Sequence, residues 1–332
     1  KYYWKLDDTN GDDDWDLIIT DIIDITPPKN KLPSEATLKT LNKLKSITDA
    51  SFAHMNTYDC DYFGNNKNTC LSLGVRKSKV TNPESTIDSA VAVFGQKLSD
   101  NLRFGGFFHT NVHHDTANTL SLSDRTPLFG GSIIWNQNES NLGLQIKYAN
   151  AFQKKNATIT RLAGENSEQA TGKTQTLAKS HTIEIRYNVS KKNKTNFSPY
   201  LALRKAVKQQ NGYTEVDAQA PLTYNEIKDK YLTAIFGTRF DMYTTSEIRL
   251  HGSVGIEHDI KHSISKLTPT GMSGLPTVNL DETFDKSRPV ISLGLDYDYS
   301  SDYRLSAIFQ YQDLPYNNMA QRNSYFYISK AF

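Results

Sequence analysis

The stretch HTIEIRYNVS, residues 181–190, would present two chemically opposite faces as one β-strand. Successive side chains of a strand point to opposite sides of its sheet. The apolar and polar side chains of this stretch therefore separate completely: Ile183, Ile185, Tyr187 and Val189 against Glu184, Arg186 and Asn188. Burying the charged face in a dry core would cost heavily in desolvation free energy. The pattern instead predicts a strand with lipid on one side and water on the other.

Similar alternation recurs along the chain and predicts twelve strands. It is least regular in the second and third segments. The twelve segments lie near 70–80, 86–98, 102–112, 127–136, 141–154, 180–190, 197–207, 229–243, 247–260, 288–300, 303–314 and 322–332.

The connections between these segments alternate between short and long. Short turns lie near Ser99, Asn138, Lys191, Thr244 and Ser300, and longer polar loops span about 113–126, 155–179, 208–228, 261–287 and 315–321. Outer-membrane barrels have short periplasmic turns and longer extracellular loops. The sequence therefore predicts an all-β membrane protein, a 12-stranded antiparallel up-and-down β-barrel.

Composition agrees with this class. The 332 residues include 38 basic and 36 acidic side chains, so the net charge of +2 gives no footprint for nucleic-acid binding. No apolar run of about 18 residues predicts a transmembrane helix. The 18 Tyr and 15 Phe suit the aromatic girdles of a membrane barrel. We expect no cofactor.

The polar face of the predicted barrel is rich in charge. Because these charges cannot lie in a dry core, we expect a lumen that is wet or internally ion-paired. The predicted lumen-facing residues are Arg76, Glu184, Arg186, Arg204, Arg239, Arg249, Glu257, Asp296, Asp298 and Arg304.

A helix is predicted before the first barrel strand, over about residues 35–56, with Ser34 as its N-cap. Twelve strands enclose a space between those of a filled eight-stranded barrel and an open sixteen-stranded channel, and a helix is about 10–12 Å across. We therefore expect this helix inside the lumen; a linker helix packed outside the barrel is the alternative. The candidate residues of this pore helix are Leu38, Lys39, Leu41, Lys43, Lys45 and Asp49.

A β-hairpin is predicted at the N-terminus, where two apolar runs flank Asn10-Gly11. Acidic residues surround this turn, but Gly11 comes too early for a calcium-binding loop. A solvated acidic hairpin is the favoured interpretation, and we expect no metal.

The two cysteines, Cys60 and Cys70, lie close together in sequence. A single close pair favours a disulfide formed in an oxidising compartment such as the periplasm. Two unrelated thiols are the alternative.

The stretch RNSYFYISKAF, residues 322–332, places Phe326, Ile328 and Phe332 on one face. It is similar to the C-terminal signature of outer-membrane barrels, although Lys330 stands where another apolar residue is usual. That resemblance implies an assembly signal that is read by the barrel-assembly machinery.

The whole chain resembles the end of a classical monomeric autotransporter. The resemblance rests on an aromatic-rich rung (YYWKL…DWDLIITD), a linker, a helix, twelve strands and a terminal Phe. In addition, AVAVFGQKLSDNLRFGGFFHTN (90–111) is similar to the second and third barrel strands of that family.

The resemblance implies three segments: residues 1–31 as the end of a passenger, 32–68 as a linker with the pore helix, and 69–332 as the barrel. It implies a translocator in the Gram-negative outer membrane that serves secretion and surface display of an N-terminal passenger. Its implied partners are outer-membrane lipids, the passenger in cis and the assembly machinery, with the chain as a monomer.

Two other functions were weighed. A porin-like channel for small solutes is the main alternative, but a porin needs no plug helix before its first strand. An outer-membrane enzyme is suggested by His251 and Ser253, which resemble the catalytic pair of the outer-membrane phospholipase. Their strand parity predicts that both face the lumen and not the membrane, so we expect no enzyme. The adjacent His113 and His114 are weak metal candidates.

Overall fold

The computed structural model describes residues 2–7, 16–22 and 58–332, with internal gaps. Those gaps are 65–66, 82–83, 116–119, 123–125, 140, 164–167, 192–194, 272–274, 276, 278, 280–283 and 316–318. The predicted pore helix at 35–56 lies outside the described residues. Within the described ranges, no helix has the length and apolarity to cross a membrane.

The described secondary structure is entirely β. In chain order the strands are β1 (Tyr2–Asp7), β2 (Asp16–Ile22), β3 (Thr69–Val80), β4 (Ser85–Lys97), β5 (Leu102–Asp115), β6 (Leu120–Leu122), β7 (Leu128–Asn136), β8 (Gly143–Arg161), β9 (Ala170–Lys191), β10 (Thr195–Gln210), β11 (Tyr213–Val216), β12 (Thr223–Tyr224), β13 (Ile227–Tyr243), β14 (Ile248–Ile264), β15 (Pro269–Thr270), β16 (Ser287–Asp298), β17 (Tyr303–Asp313) and β18 (Ala320–Ala331).

Twelve of these strands form a closed antiparallel barrel, in the order β3, β4, β5, β7, β8, β9, β10, β13, β14, β16, β17 and β18. Each pairs with its neighbour in this order, and β18 pairs with β3 to close the ring, with Phe326 opposite Val75. Closure pairs the backbone groups that an open sheet edge would expose to hydrocarbon. The prediction of a twelve-stranded up-and-down barrel is confirmed.

The N-terminal strands form a separate two-stranded sheet, in which β1 and β2 are antiparallel. This is the pairing that the Asn10-Gly11 signal predicted, while the turn itself lies outside the described residues.

The predicted loop at 155–179 is wrong, because most of it is strand. β8 and β9 pair continuously up to Arg161 and Ala170. The reason is visible on the outward face of β8, which is apolar up to Phe152 except for Asn150 and is polar from Lys154 onward. Beyond the lipid both faces of a strand can be polar, so the apolar alternation ends while the hydrogen-bond ladder continues.

The predicted loops at 208–228 and 261–287 are also shorter than expected. The short strands β11, β12 and β15 extend the wall above β10, β13 and β14, with β11 paired to β9, β12 to β11 and β15 to β12. The barrel wall therefore continues past the membrane on this side.

The outward face carries a band of exposed apolar side chains. Leu73 is 55% exposed, Leu293 56% and Ile328 58%. So much exposed apolar surface needs a lipid partner. The same strands direct polar residues inward, which places the functional candidates in the lumen.

Candidate functional site in the barrel lumen

The ten predicted lumen residues all point inward. Six are buried: Arg76, Glu184, Arg204, Glu257, Asp296 and Arg304. The other four are half-buried: Arg186, Arg239, Arg249 and Asp298. The structure therefore brings this set together inside the barrel, because strand parity carries each side chain to the same face.

Ion pairs connect most of these charges, and two of the pairs reach across an intervening strand. Arg204 Nη2 lies 2.6 Å from Glu257 Oε2, and Arg239 Nη2 lies 2.7 Å from Glu184 Oε2. Because the pairs join β9, β10, β13 and β14, they tie one wall of the lumen together. Arg186 donates to Gln145 on β8.

A second group of pairs lies nearer the periplasmic turns. Arg249 Nη2 lies 2.6 Å from Asp296 Oδ2, and Arg304 Nε lies 2.6 Å from Asp298 Oδ1. Arg304 also approaches Asp296, at 3.7 Å. The two arginines thus share a carboxylate, and the group links β14, β16 and β17.

The opposite wall is aromatic and apolar. Tyr58 stacks on Phe107 with ring centroids 4.7 Å apart and meets Tyr325 edge-on at 6.4 Å. Arg76 Nη1 donates to the Tyr58 hydroxyl at 3.3 Å. Of the ten predicted residues, only Arg76 lies on this wall, where it also donates to the Asn323 side-chain oxygen at 3.1 Å.

The chain segment before β3, residues 58–64, lies inside the lumen. At the periplasmic rim, the Tyr62 hydroxyl donates to the Ser300 carbonyl at 2.6 Å. Gly64 has a φ of +56°, and a Cβ there would collide with the Ser301 carbonyl oxygen, so glycine is required. From this rim the segment rises to Tyr58, which is level with Arg76 near the top of the apolar band of β3.

Two carboxylates hold this segment to opposite walls. Asp59 pairs with Arg103 Nη2 at 3.0 Å and with Lys147 at 3.8 Å. Asp61 lies 3.9 Å from Arg249 and 3.8 Å from Arg304.

The sequence reasoning missed the anchoring role of these carboxylates. The sequence does contain a signal for this role. Asp59 and Asp61 flank Cys60, which was expected to form a disulfide with Cys70 of β3.

Cys60 and Cys70 are joined by a disulfide, with their Cα atoms 5.8 Å apart. Both residues are buried, and Cys70 is the second residue of β3. The bond therefore ties the luminal segment to the base of the first barrel strand.

A cavity of about 1000 Å³ occupies the periplasmic half of the lumen. Its lining includes Arg239 and Glu257 of the first group, all four members of the second group, and residues 59–64 of the luminal segment. Space for water beside the charges lowers their desolvation cost relative to a dry interior.

The extracellular end of the lumen is filled by apolar side chains, in contrast to the ion pairs at the periplasmic end. A buried apolar cluster there contains Ile87, Ala157, Ile159, Tyr213, Leu222, Tyr224, Ile227 and Leu267. Ile87 belongs to β4 and Ile227 to β13, which are six strands apart in the ring of twelve. Apolar side chains from opposite walls therefore join one cluster across the mouth.

One buried ion pair lies within this extracellular cluster. Arg161 Nη2 lies 2.7 Å from Glu215 Oε2, and Glu215 also accepts the Leu222 N–H at 3.0 Å. Burial alone would lower the pKa of Arg161, but the Glu215 hydrogen bond and charge raise it. Burial, with Tyr224 and Glu215 close by, raises the pKa of Tyr213 well above its usual value.

Comparison with known proteins identifies the family. Residues 80–312, more than half of the chain, match the family model described as the autotransporter beta-domain. The chain belongs to the autotransporter beta-domain family. It is accordingly an outer-membrane translocator for passenger secretion.

Solved structures of autotransporter barrels share the fold. The translocator domain of autotransporter NalP from Neisseria meningitidis aligns with a TM-score of 0.66 at 13% identity, covering 90% of this chain and 98% of that one. The beta domain of the Bordetella autotransporter BrkA aligns with a TM-score of 0.50 at 9% identity, covering 80% and 99%. No curated protein matches the sequence significantly.

The motifs that suggested other chemistry have structural contacts in this autotransporter barrel. Ser253 Oγ hydrogen-bonds Ser292 Oγ at 2.7 Å, while His251 Nε2 lies 3.4 Å from Asp296. His113 and His114 are neighbours on β5 and pair with Asp88 and Ile87, so they point to opposite faces. Among the described residues no group of side chains is arranged to hold a metal ion.

Proposed function

We propose that this barrel carries the end of its own passenger through the lumen and displays the passenger at the cell surface. In this proposal residues 1–31 are the passenger end, 32–68 the linker and 69–332 the anchor. The supporting observation is the path of residues 58–64, which enter at the periplasmic rim and rise inside the barrel. A chain that climbs this way is directed toward the extracellular mouth.

We further propose that the predicted helix at 35–56 continues this path and plugs the pore. Its candidates Leu38, Lys39, Leu41, Lys43, Lys45 and Asp49 combine apolar and charged groups, and the lumen above Tyr58 offers an apolar wall and a charged wall. A helix with apolar and charged side chains would pack against the apolar wall and pair with the charged wall.

Conductance in planar bilayers tests the plug. A variant starting at residue 57 should conduct more than the intact chain, because it retains the luminal segment but lacks the helix. A matched control starting at residue 32 removes only the hairpin and should conduct as the parent does. Equal conductance of all three would contradict the plug, and high conductance of all three would favour the porin-like channel.

Surface display has its own test. An epitope inserted at Asn10-Gly11 should be digested by protease added to intact cells. Protection of that epitope until the outer membrane is opened would place the hairpin in the periplasm and contradict display.

We also propose that Phe326, Ile328 and Phe332 form an assembly signal for the barrel-assembly machinery. All three lie on the lipid face, 60%, 58% and 52% exposed. The Phe332 N–H also donates to the Thr69 carbonyl at 2.9 Å, at the seam that closes the barrel.

Cellular assembly, measured by heat-modifiable gel mobility, tests this signal. Deleting Phe332 or making the F326D/I328D variant should reduce the folded fraction. The L293D/L295D variant carries the same charges on the lipid face of β16. An equal defect in both double variants would reflect lipid-face cost alone and contradict a C-terminal signal.

The closed ring supports a monomer, because β18 and β3 already pair with each other and no second chain is needed to complete the wall. Light scattering in detergent should give the mass of one chain.

A further inference from the structure

A patch of outward-facing lysines lies just above the lipid band on one side of the barrel. We call it the outer basic patch: Lys154 on β8, Lys179 on β9, Lys205 on β10, Lys228 and Lys230 on β13, and Lys261 on β14. These strands are consecutive in the wall, and the patch lies on the side with the long connections, which faces outward in such barrels.

The strand register sets the spacing of the patch. Lys179 and Lys230 both lie opposite Val207, and Lys205 and Lys261 both lie opposite Leu232. Each pair is therefore two strands apart, or about 10 Å. Two adjacent rows of the sheet thus each present a pair of ammonium groups.

No described partner neutralises the patch. Five of its lysines are exposed and Lys228 is half-buried, and none forms an ion pair with another described residue. The described parts of β8, β9, β10, β13 and β14 direct their carboxylates inward, as with Glu184, Glu257 and Asp259. The ammonium groups at this spacing repel one another, so bound anions would lower the electrostatic free energy of the patch.

The surface directly below the patch is apolar. Phe152, Leu203 and Phe236 point outward beneath the lysines, and Leu203 and Phe236 are 47% exposed. A ligand that satisfies both surfaces must be an amphiphile, with acyl chains against the band and anionic groups at the lysines. Phosphate suits lysine, which binds it as a point charge.

We propose that the outer basic patch binds the phosphates of an acyl lipid in the outer leaflet. The proposal depends on the placement of the barrel in the membrane and not on passenger transport. It would give the translocator a preferred lipid neighbour on one side, at β8–β14, and not around its whole circumference.

The other side of the barrel provides a matched control. Lys77, Lys79 and Arg322 also face outward, toward the same end of the barrel, on β3 and β18. However, Lys77 lies opposite Asp88, and Lys79 pairs with Glu84 at 2.5 Å. Lys77 and Lys79 therefore already have a carboxylate neighbour or partner, so this group should bind lipid phosphate less well than the outer basic patch.

The test compares two variants that lose equal charge, K179Q/K205Q/K230Q and K77Q/K79Q/R322Q, in the full chain folded in zwitterionic detergent. Binding of bisphosphorylated lipid A is titrated by native mass spectrometry. The patch variant should bind lipid A on the order of a hundredfold more weakly than the parent. The reason is that each lysine near an anionic surface contributes about fivefold in affinity. The control variant should stay within about twofold of the parent.

Further arms separate the possible sources of affinity. Lipid A stripped of its phosphates should bind weakly to the parent, inorganic phosphate alone should not compete, and K179R/K205R/K230R should restore binding. Equal loss in both glutamine variants, undiminished binding of the dephosphorylated lipid, or competition by inorganic phosphate would each overturn the proposal. Heat-modifiable mobility establishes that every variant is folded.

Discussion

At its periplasmic end the lumen holds ion pairs around a cavity of about 1000 Å³, whereas at its extracellular end apolar side chains from opposite walls meet. Both regions lie inside the same twelve strands, and both contain buried arginine–carboxylate pairs. The difference is access to water, since Arg239 of the Glu184–Arg239 pair borders the cavity and the Arg161–Glu215 pair is enclosed.

This contrast assigns different roles to the two ends. The periplasmic end holds an incoming segment through charges that water can also solvate, so its contacts can rearrange at modest cost. The extracellular end is held together by burial of apolar surface. A passenger that leaves through this mouth must displace that packing.

The largest effect is expected from a charge placed in the apolar mouth. Leu222 is fully buried, so L222D should destabilise the extracellular extension by about 5 kcal/mol through lost burial and an unpaired carboxylate beside Glu215. Hydrogen exchange of β11 and β12 measures this opening.

The matched control is V216D, because Val216 ends β11 in the same extracellular extension but is 52% exposed. It should change protection by less than about 1 kcal/mol. Similar deprotection by both variants would show that the mouth is not a packed closure.

The next effect compares the enclosed and the water-bordered ion pair directly. E215Q leaves Arg161 charged and buried, and it should cost about 3–5 kcal/mol of unfolding free energy. E184Q leaves Arg239 partly exposed to the cavity, with a cost of about 1–2 kcal/mol. Denaturant unfolding in detergent measures both. An equal loss of unfolding free energy in E215Q and E184Q would show that access to water does not distinguish the two ion pairs.

A smaller effect is expected at the disulfide that fastens the periplasmic segment. Its loop spans 10 residues in sequence, so C60S/C70S should lose roughly 2–3 kcal/mol. Thiol labelling of the unreduced, denatured parent should find no free thiol. Two reactive thiols would show that the segment is held by its ion pairs alone.

The smallest effect is a pH dependence at the periplasmic rim. Lys67 lies 2.6 Å from Asp302, and its hydrogen bond lowers the pKa of that carboxyl. Because the folded-state pKa is depressed, the stabilisation is present above the ordinary Asp pKa of about 3.9 and is lost as pH falls through the folded value. Thermal midpoints of the parent and D302N should therefore differ slightly at neutral pH and converge in acid. A constant difference across this range would exclude the ionic contribution.

The sequence by itself determined the strands and their faces. Ile183 points to lipid and Glu184 to the lumen because side chains alternate with a period of two residues, which is a local property of any strand. The number of barrel strands and the polarity of the lumen follow from repeating that local pattern. The lengths of the strands did not follow, because outside the lipid no outward apolar residues mark positions such as Thr158 and Lys173 as strand.

Only the tertiary structure decided which charges meet and what fills the lumen. Glu184 pairs with Arg239 and Arg161 with Glu215, and each partner lies more than 50 residues away in sequence. Pairing at that distance depends on strand register and on the closure of the ring, which are properties of the whole barrel. Tyr58 likewise contacts Arg76 and Phe107 only because the chain turns inward at the rim before β3 begins.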